Sequence, residues 1–372
     1  MDHGETVMAK SIVADHIKNL TPYPPGKPLS ELKRELGLSD AIKMASNENP
    51  WGPSKKAIEA MTDALSEVQL YPDGGGFYLR RLLAERLDLA PEQFMFGNGS
   101  NDLIDLLVRT FGGPEHGIVT SESTFVVYRL IAQATGVPFT EVAMPPDTLT
   151  FDLDAIAEQV TDNTRFVFLC NPNNPTGTMF DAEQLDAFLD RIGPEPIVVL
   201  DEAYIEYVDP EKRVDSLAVM SRRKRTVILR TFSKAYGLAG IRIGYGITSP
   251  DLVSYVERVR QPFNTNHIAQ VGAIAALQDE EHLQTVVEGN REGVRVLTAG
   301  LKELGLRPIA TETNFVLFEL GQDGRPIYDE LLKLGVIIRP MNAYKLPNYL
   351  RVSVGLPHEN DRFLKALAQV LS

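Results

Sequence analysis

The chain carries five short runs that are almost wholly apolar: Gln93–Phe96, Gly117–Thr120, Arg165–Cys170, Ile197–Leu200 and Thr226–Leu229. None alternates apolar with polar residues, as a strand with one wet face must. Each therefore reads as a strand covered on both sides. Stretches of helical period lie between them; in one, Leu103, Ile104, Leu106 and Leu107 share a face, with Asp102 and Asp105 opposite. Strands alternating with helices predict an α/β fold, a mainly parallel sheet sandwiched by helices.

From about His282 the pattern changes. A long helix reaches roughly Leu304, followed by strand Asn314–Leu320, helix Ile327–Leu334, strands Gly335–Arg339 and Tyr349–Val354, and a final helix Glu359–Leu371. This reads as a second, smaller α+β domain, and 372 residues exceed the usual size of one core. The expected division is a large domain at 46–270 and a small one built from 1–45 and 271–372. Thr21–Pro28 is proline-rich and should run extended over a surface.

Charge and composition exclude several function classes. The formal net charge is −13, from 37 basic and 50 acidic residues, a field that repels phosphate backbones. The one basic cluster, Arg222–Arg225, reads as a solvated turn before a strand, so no nucleic-acid partner is expected. The six histidines are scattered, with none at i, i+4 spacing to another, so no metal site is expected. No apolar run is long enough for a bilayer, no apolar leader opens the chain, and Cys170 has no cysteine partner. These features point to a cytoplasmic protein with no membrane partner.

Four segments follow predicted strands, where open α/β sheets receive ligands. Gly97-Asn98-Gly99-Ser100-Asn101-Asp102 lies between a strand and an amphipathic helix, whose start offers free N–H groups to an anion. Its plain structural reading is a tight turn with Ser100 or Asn101 as helix cap. Asn171-Pro172-Asn173-Asn174-Pro175-Thr176-Gly177 is, taken alone, a proline-rich turn. Asp201 ends an all-apolar strand, where a carboxylate is costly unless it meets a cation or donors; a helix cap or a metal carboxylate would also explain it. In the segment from Thr231 to Arg242, Lys234 either snorkels outward or is a desolvated amine that forms imines. Thr231 and Ser233 flank it and Arg242 follows, a set suited to an aldehyde cofactor that also carries a phosphate.

In this order GNGSND, NPNNPTG, DEAYIEY and TFSKAYGLAGIRIGYG closely resemble the fold-type I pyridoxal 5′-phosphate (PLP) aminotransferases. PYPPGKP, ASNENPWGPS, QLYPDGG and YLRVSVG resemble the histidinol-phosphate branch of that family, and the likeness covers nearly the whole chain. It implies a catalytic Lys234 that joins the cofactor aldehyde and shuttles a proton at the substrate Cα. It implies Asp201 at the pyridine nitrogen, Asn174 and Tyr204 at the ring oxygen, and Gly99, Ser100, Asn101, Thr231, Ser233 and Arg242 around the phosphate. Phe125 stands where the family often stacks a tyrosine on the ring; stacking needs only the aromatic face. By the same resemblance Arg351 grips the substrate's anionic group, Arg339 is a second anion ligand, and Tyr23 lines the pocket. Tyr71 would cross a homodimer interface into a shared active site.

The implied reaction is amino transfer between L-histidinol phosphate and 2-oxoglutarate, giving imidazole acetol phosphate and glutamate in histidine biosynthesis. Related enzymes share every PLP motif here, so two alternatives stand: an aromatic amino-acid aminotransferase, and a decarboxylase of a phosphorylated amino acid. Lys234 and Asp201 argue against a non-enzymatic binding protein.

Overall fold

The structure is a computed structural model that describes residues 12–18, 20, 22, 29–37 and 40–372. A short strand β1 (Ile42–Lys43) precedes β2 (Phe94–Gly97), β3 (Gly117–Ser121), β4 (Phe139–Val142), β5 (Thr164–Cys170), β6 (Ile197–Asp201), β7 (Thr226–Thr231) and β8 (Gly244–Ile247). Strands β2 to β8 form one sheet in the order β2-β8-β7-β6-β5-β3-β4. Only β8 runs against its neighbours, so the sheet is mainly parallel, as the apolar runs predict. Successive side chains leave a strand on opposite faces. Along β7, Val227 and Leu229 enter one apolar cluster while Ile228 enters another; along β2, Met95 parts from Phe94 and Phe96 in the same way. Helix Ser100–Phe111 covers the first face with Leu103, Ile104 and Leu107, and helix His267–Leu277 covers the second with Ala269, Ala273 and Leu277.

A second sheet follows, with strands β9 (Arg307–Pro308), β10 (Phe315–Glu319), β12 (Arg339–Pro340) and β13 (Tyr349–Ser353) in the antiparallel order β12-β13-β10-β9. Leu297 and Leu301 of helix Glu280–Glu303, Leu331 of helix Gly324–Lys333 and Phe363 and Leu367 of helix Pro357–Leu371 pack with Val316, Phe318, Leu350 and Val352. Strand β11 (Val336–Ile337) lies apart and pairs in parallel with β1, which brings Ile42 and Met44 into the same cluster. Helix His267–Leu277 runs through the boundary expected at 270/271 and packs on the large sheet.

Two sequence readings need correction. The single strand expected at Gly335–Arg339 is two, β11 and β12, because Ile338 carries the chain from the β1 ladder to the β13 ladder. All of Val336, Ile337 and Ile338 stay buried through that turn, so hydropathy leaves no mark of it. Arg223 is not solvated. It is buried, and its guanidinium donates to the carbonyls of Gly193 (3.0 Å), Pro196 (2.6 Å) and Arg225 (2.5 Å), tying the loop before β6 to the loop before β7. Among the described residues, no helix is long and apolar enough to cross a membrane.

Candidate active site

Parallel pairing sends the carboxyl ends of β5, β6 and β7 to one rim, and β2, antiparallel to a β8 that is itself antiparallel to β7, points the same way, so Gly97, Cys170, Asp201 and Thr231 all end strands there. The rim holds a cavity of about 190 Å³ lined by Ser100, Asn101, Phe125, Cys170, Asn174, Asp201, Ala203, Tyr204, Thr231, Ser233, Lys234, Ala239 and Arg242. Every cofactor residue expected from the sequence lines it except Gly99, which lies beside it.

Asp201 forms the floor. Its side chain is buried; Oδ2 accepts the Tyr128 hydroxyl at 2.6 Å and Oδ1 accepts the Ala203 N–H at 3.2 Å. Burial raises the carboxyl to about 6, and the Tyr128 and Ala203 hydrogen bonds hold it from going higher. Tyr204, three residues on, is buried with its ring edge-on to Phe315 at 5.4 Å. Its hydroxyl accepts from Asn47 Nδ2 at 2.9 Å, and burial pushes the phenol above its ordinary value.

Lys234 stands in the turn after β7. That turn closes with Gly237 N–H donating to the Lys234 carbonyl at 2.9 Å. Gly237 has φ 70, and a Cβ there would lie 2.5 Å from the Gly52 backbone, so only glycine lets the turn press this close. The amine points inward, 3.4 Å from the Ser46 carbonyl and 5.7 Å from the Tyr204 ring centre. Burial, reinforced by the cations of Arg351 and Arg242, lowers it to about 8. An amine so poised is both a nucleophile and a base near neutrality.

The other end of the cavity is built for an anion. Gly99, at φ 82, caps helix Ser100–Phe111 without any side-chain cap bond, so neither Ser100 nor Asn101 is the cap. The first N–H groups of the helix and its positive dipole end are left for a ligand. Arg242, at φ 60, lays its guanidinium against Gly99; a Cβ on Gly99 would sit 2.3 Å from Nη2. Arg242 Nη1 donates to the Ala239 carbonyl at 3.1 Å and reaches Ser233 Oγ at 3.5 Å, while Thr231 Oγ1 accepts the Ser233 N–H at 3.1 Å. Lysine, buried acid, hydroxyls and a cationic cradle in one small cavity fit PLP: an amine for its aldehyde, a carboxylate for its ring nitrogen and donors for its phosphate.

Outside this cavity, Arg351 of β13 is buried, with Nη1 donating to Asn174 Oδ1, Nη2 to the Ala45 carbonyl at 2.9 Å, and the guanidinium 4.9 Å from the Phe315 ring centre. Arg339 of β12 is its direct cross-strand partner. Tyr71 is not brought to the cavity of its own chain; it is 83% exposed and stacks on Phe263 at 4.8 Å. Tyr23 and the rest of its proline-rich segment, Pro22 apart, lie outside the described residues. Three residues at the site have no role in the sequence reading: Tyr128, Asn47 and Cys170. Tyr128 hides in a helical apolar pattern; Asn47 lies in the ASNENPWGPS segment that carries the family likeness.

The comparisons agree with this geometry. The family model of class I and II aminotransferases matches residues 39–367. Histidinol-phosphate aminotransferase 2 of Pasteurella multocida is 45% identical over 361 residues, covering 97% of this chain and 98% of that one. The protein of the same name from Pseudomonas fluorescens is 47% identical, covering 96% of each. The solved histidinol-phosphate aminotransferase of Sinorhizobium meliloti, in complex with PLP, superposes with a TM-score of 0.89 at 29% identity over 98% of both chains. The chain belongs to the class I and II aminotransferases and, within them, to the histidinol-phosphate aminotransferases.

Proposed function

We propose that the chain transfers an amino group between L-histidinol phosphate and 2-oxoglutarate with PLP as cofactor, giving imidazole acetol phosphate and L-glutamate. The observation that carries the reading is the meeting of a depressed amine, a buried carboxylate and an anion cradle in one cavity. The substrate is supplied by the names that its relatives bear.

PLP, when bound, supplies an aldehyde that condenses with amines and a ring that draws off electrons from the substrate Cα. The chain does the rest. Lys234 would supply the amine for the aldehyde and, as a free amine, would take and return the proton at the substrate Cα. Asp201 keeps a negative charge facing the ring nitrogen. Tyr204 and Asn174 would hold the ring oxygen, and Phe125 would offer its aromatic face to the ring. Gly99, Ser100, Asn101, Thr231, Ser233 and Arg242 hold the phosphate.

Arg351 receives the substrate's anionic group, with Arg339 adding positive charge from the facing strand. Like charges directly opposite in a sheet repel, and the pair is better tolerated where an anion is received between them. Both a phosphate monoester and a carboxylate suit an arginine fork, so one pocket serves both half-reactions. By the family resemblance Tyr23 would add a hydroxyl to that pocket. Tyr71 enters the site of a second copy in a cytoplasmic homodimer, a reading that its exposure in the single chain supports.

The test is kcat/KM for histidinol phosphate, phenylalanine and threonine phosphate, with released carbon dioxide measured alongside. Histidinol phosphate should lead, without carbon dioxide. A lead for phenylalanine would turn the assignment to an aromatic aminotransferase, and carbon dioxide from threonine phosphate to a decarboxylase.

A further inference from the structure

Asp201 is 2% exposed, and an ionised carboxylate at that depth is unfavourable unless donors replace its water. Two donors reach it, the Ala203 backbone at 3.2 Å and the Tyr128 hydroxyl at 2.6 Å. The second has the short length of a hydrogen bond to a charged oxygen. Tyr128 comes from helix Val127–Thr135, 73 positions before Asp201 in the chain. Its ring is fully buried, stacked on Phe168 at 4.7 Å and edge-on to Phe125 at 5.6 Å, which holds the hydroxyl at Asp201 with the Cys170 thiol as a second neighbour.

We propose that Tyr128 is a positioning residue that keeps the proton on the cofactor's ring nitrogen, by bonding Asp201 and weakening that carboxylate as a base. The inference rests on the reading that Asp201 faces the ring nitrogen. A proton shared between ring nitrogen and carboxylate lies on the nitrogen only while the carboxylate is the poorer base. If the hydroxyl bond is removed, the proton passes from the nitrogen to the Asp201 carboxyl, and the ring loses the charge that draws electrons from Cα.

The groups facing Asp201 from each side point the same way. Tyr128 stays a donor because burial, Asp201 and Cys170 together hold its phenol well above its ordinary value. Cys170, directly across on β5, is held neutral by burial. Glu202, the residue after the strand, makes Asp201 more basic, but it is itself paired with Arg230 at 2.9 Å. Lys234 also favours the ionised Asp201, but less than the Tyr128 and Ala203 hydrogen bonds do. The Tyr128 hydrogen bond is the largest one opposing burial.

Tyr128→Phe removes the hydroxyl and keeps the ring stack. In holoenzyme loaded with ring-15N PLP, the parent should show a protonated ring nitrogen, and Tyr128→Phe should move the resonance toward the neutral pyridine position. An unmoved resonance overturns the proposal. Asp201→Asn separates the two readings. If its ring nitrogen stays protonated, Asp201 does not face it; if only Tyr128→Phe stays protonated, Tyr128 alone is misassigned. The affinity of apoprotein for PLP and for its 1-deaza analogue, which lacks the ring nitrogen, gives a second measure. Tyr128→Phe should weaken PLP by about tenfold, the equivalent of one pKa unit, and leave the analogue unchanged. Equal weakening of both would mark Tyr128 as packing alone.

Discussion

Lys234 and Asp201 are shifted toward one another by the same cause: burial brings the amine down to about 8 and the carboxyl up to about 6. Between those values the amine is still mostly charged and the carboxyl mostly ionised. The reactive free amine therefore grows as pH rises through about 8. Competitive labelling of the apoprotein with acetic anhydride from pH 6 to 10 should show Lys234 reactivity rising with that midpoint. Arg351→Ala removes a nearby cation that favours the neutral form, so the midpoint should move up. A parent lysine that titrates near its ordinary 10.5 would show that the cavity does not desolvate it.

At the level of elements, the site is a set of strand ends and one helix start, and the helix start depends on a single glycine. Gly99→Ala would place a methyl group on the Arg242 guanidinium and hold alanine at φ 82, a region that costs roughly 1–3 kcal/mol for a side-chain-bearing residue. The expected result is a folded protein whose PLP dissociation constant rises about tenfold or more, the scale of one lost charge-assisted contact. An unchanged constant would detach this turn from phosphate binding. The rim was legible in the sequence because its parts are local: Asp201 ends its strand, and Gly99 and Ser100, Asn174, Tyr204 and Lys234 each follow theirs within a few residues. Its supports were not, since Asn47 meets Tyr204 across 157 residues and Tyr128 meets Asp201 across 73. Strand β4 escaped for another reason. It is an edge strand, Phe-Thr-Glu-Val, whose Glu141 meets Arg129 and Lys345 instead of a second apolar layer. Strand β8 was hidden inside the glycine-rich tail of the lysine motif.

Across the whole molecule, the exposed large apolar residues include Leu65, Val68, Leu70, Tyr71, Phe77 and Tyr78 from one stretch of chain, and Phe263, which stacks on Tyr71. An apolar surface of this kind marks an interface, and a second copy is the occupant proposed here. Mixing inactive Lys234→Ala with an inactive Tyr71→Ala chain should restore part of the activity, because one hybrid site keeps both residues. A fully active monomer in sedimentation would end the shared-site reading. The two sheets are joined above Lys234 by the segment from Ala45 to Asn49. Asn47, at φ 55, accepts there from the Asn314 side chain through its carbonyl and donates its N–H to Ser353 Oγ at 2.8 Å, 306 residues away in the chain. On a ribosome adding roughly 5–20 residues per second, Asn47 is made about 15–60 s before the partner that fixes it. The central sheet, complete by Ile247, thus precedes its cover, and strand β13, translated about a hundred residues later, is what seats the segment over the amine.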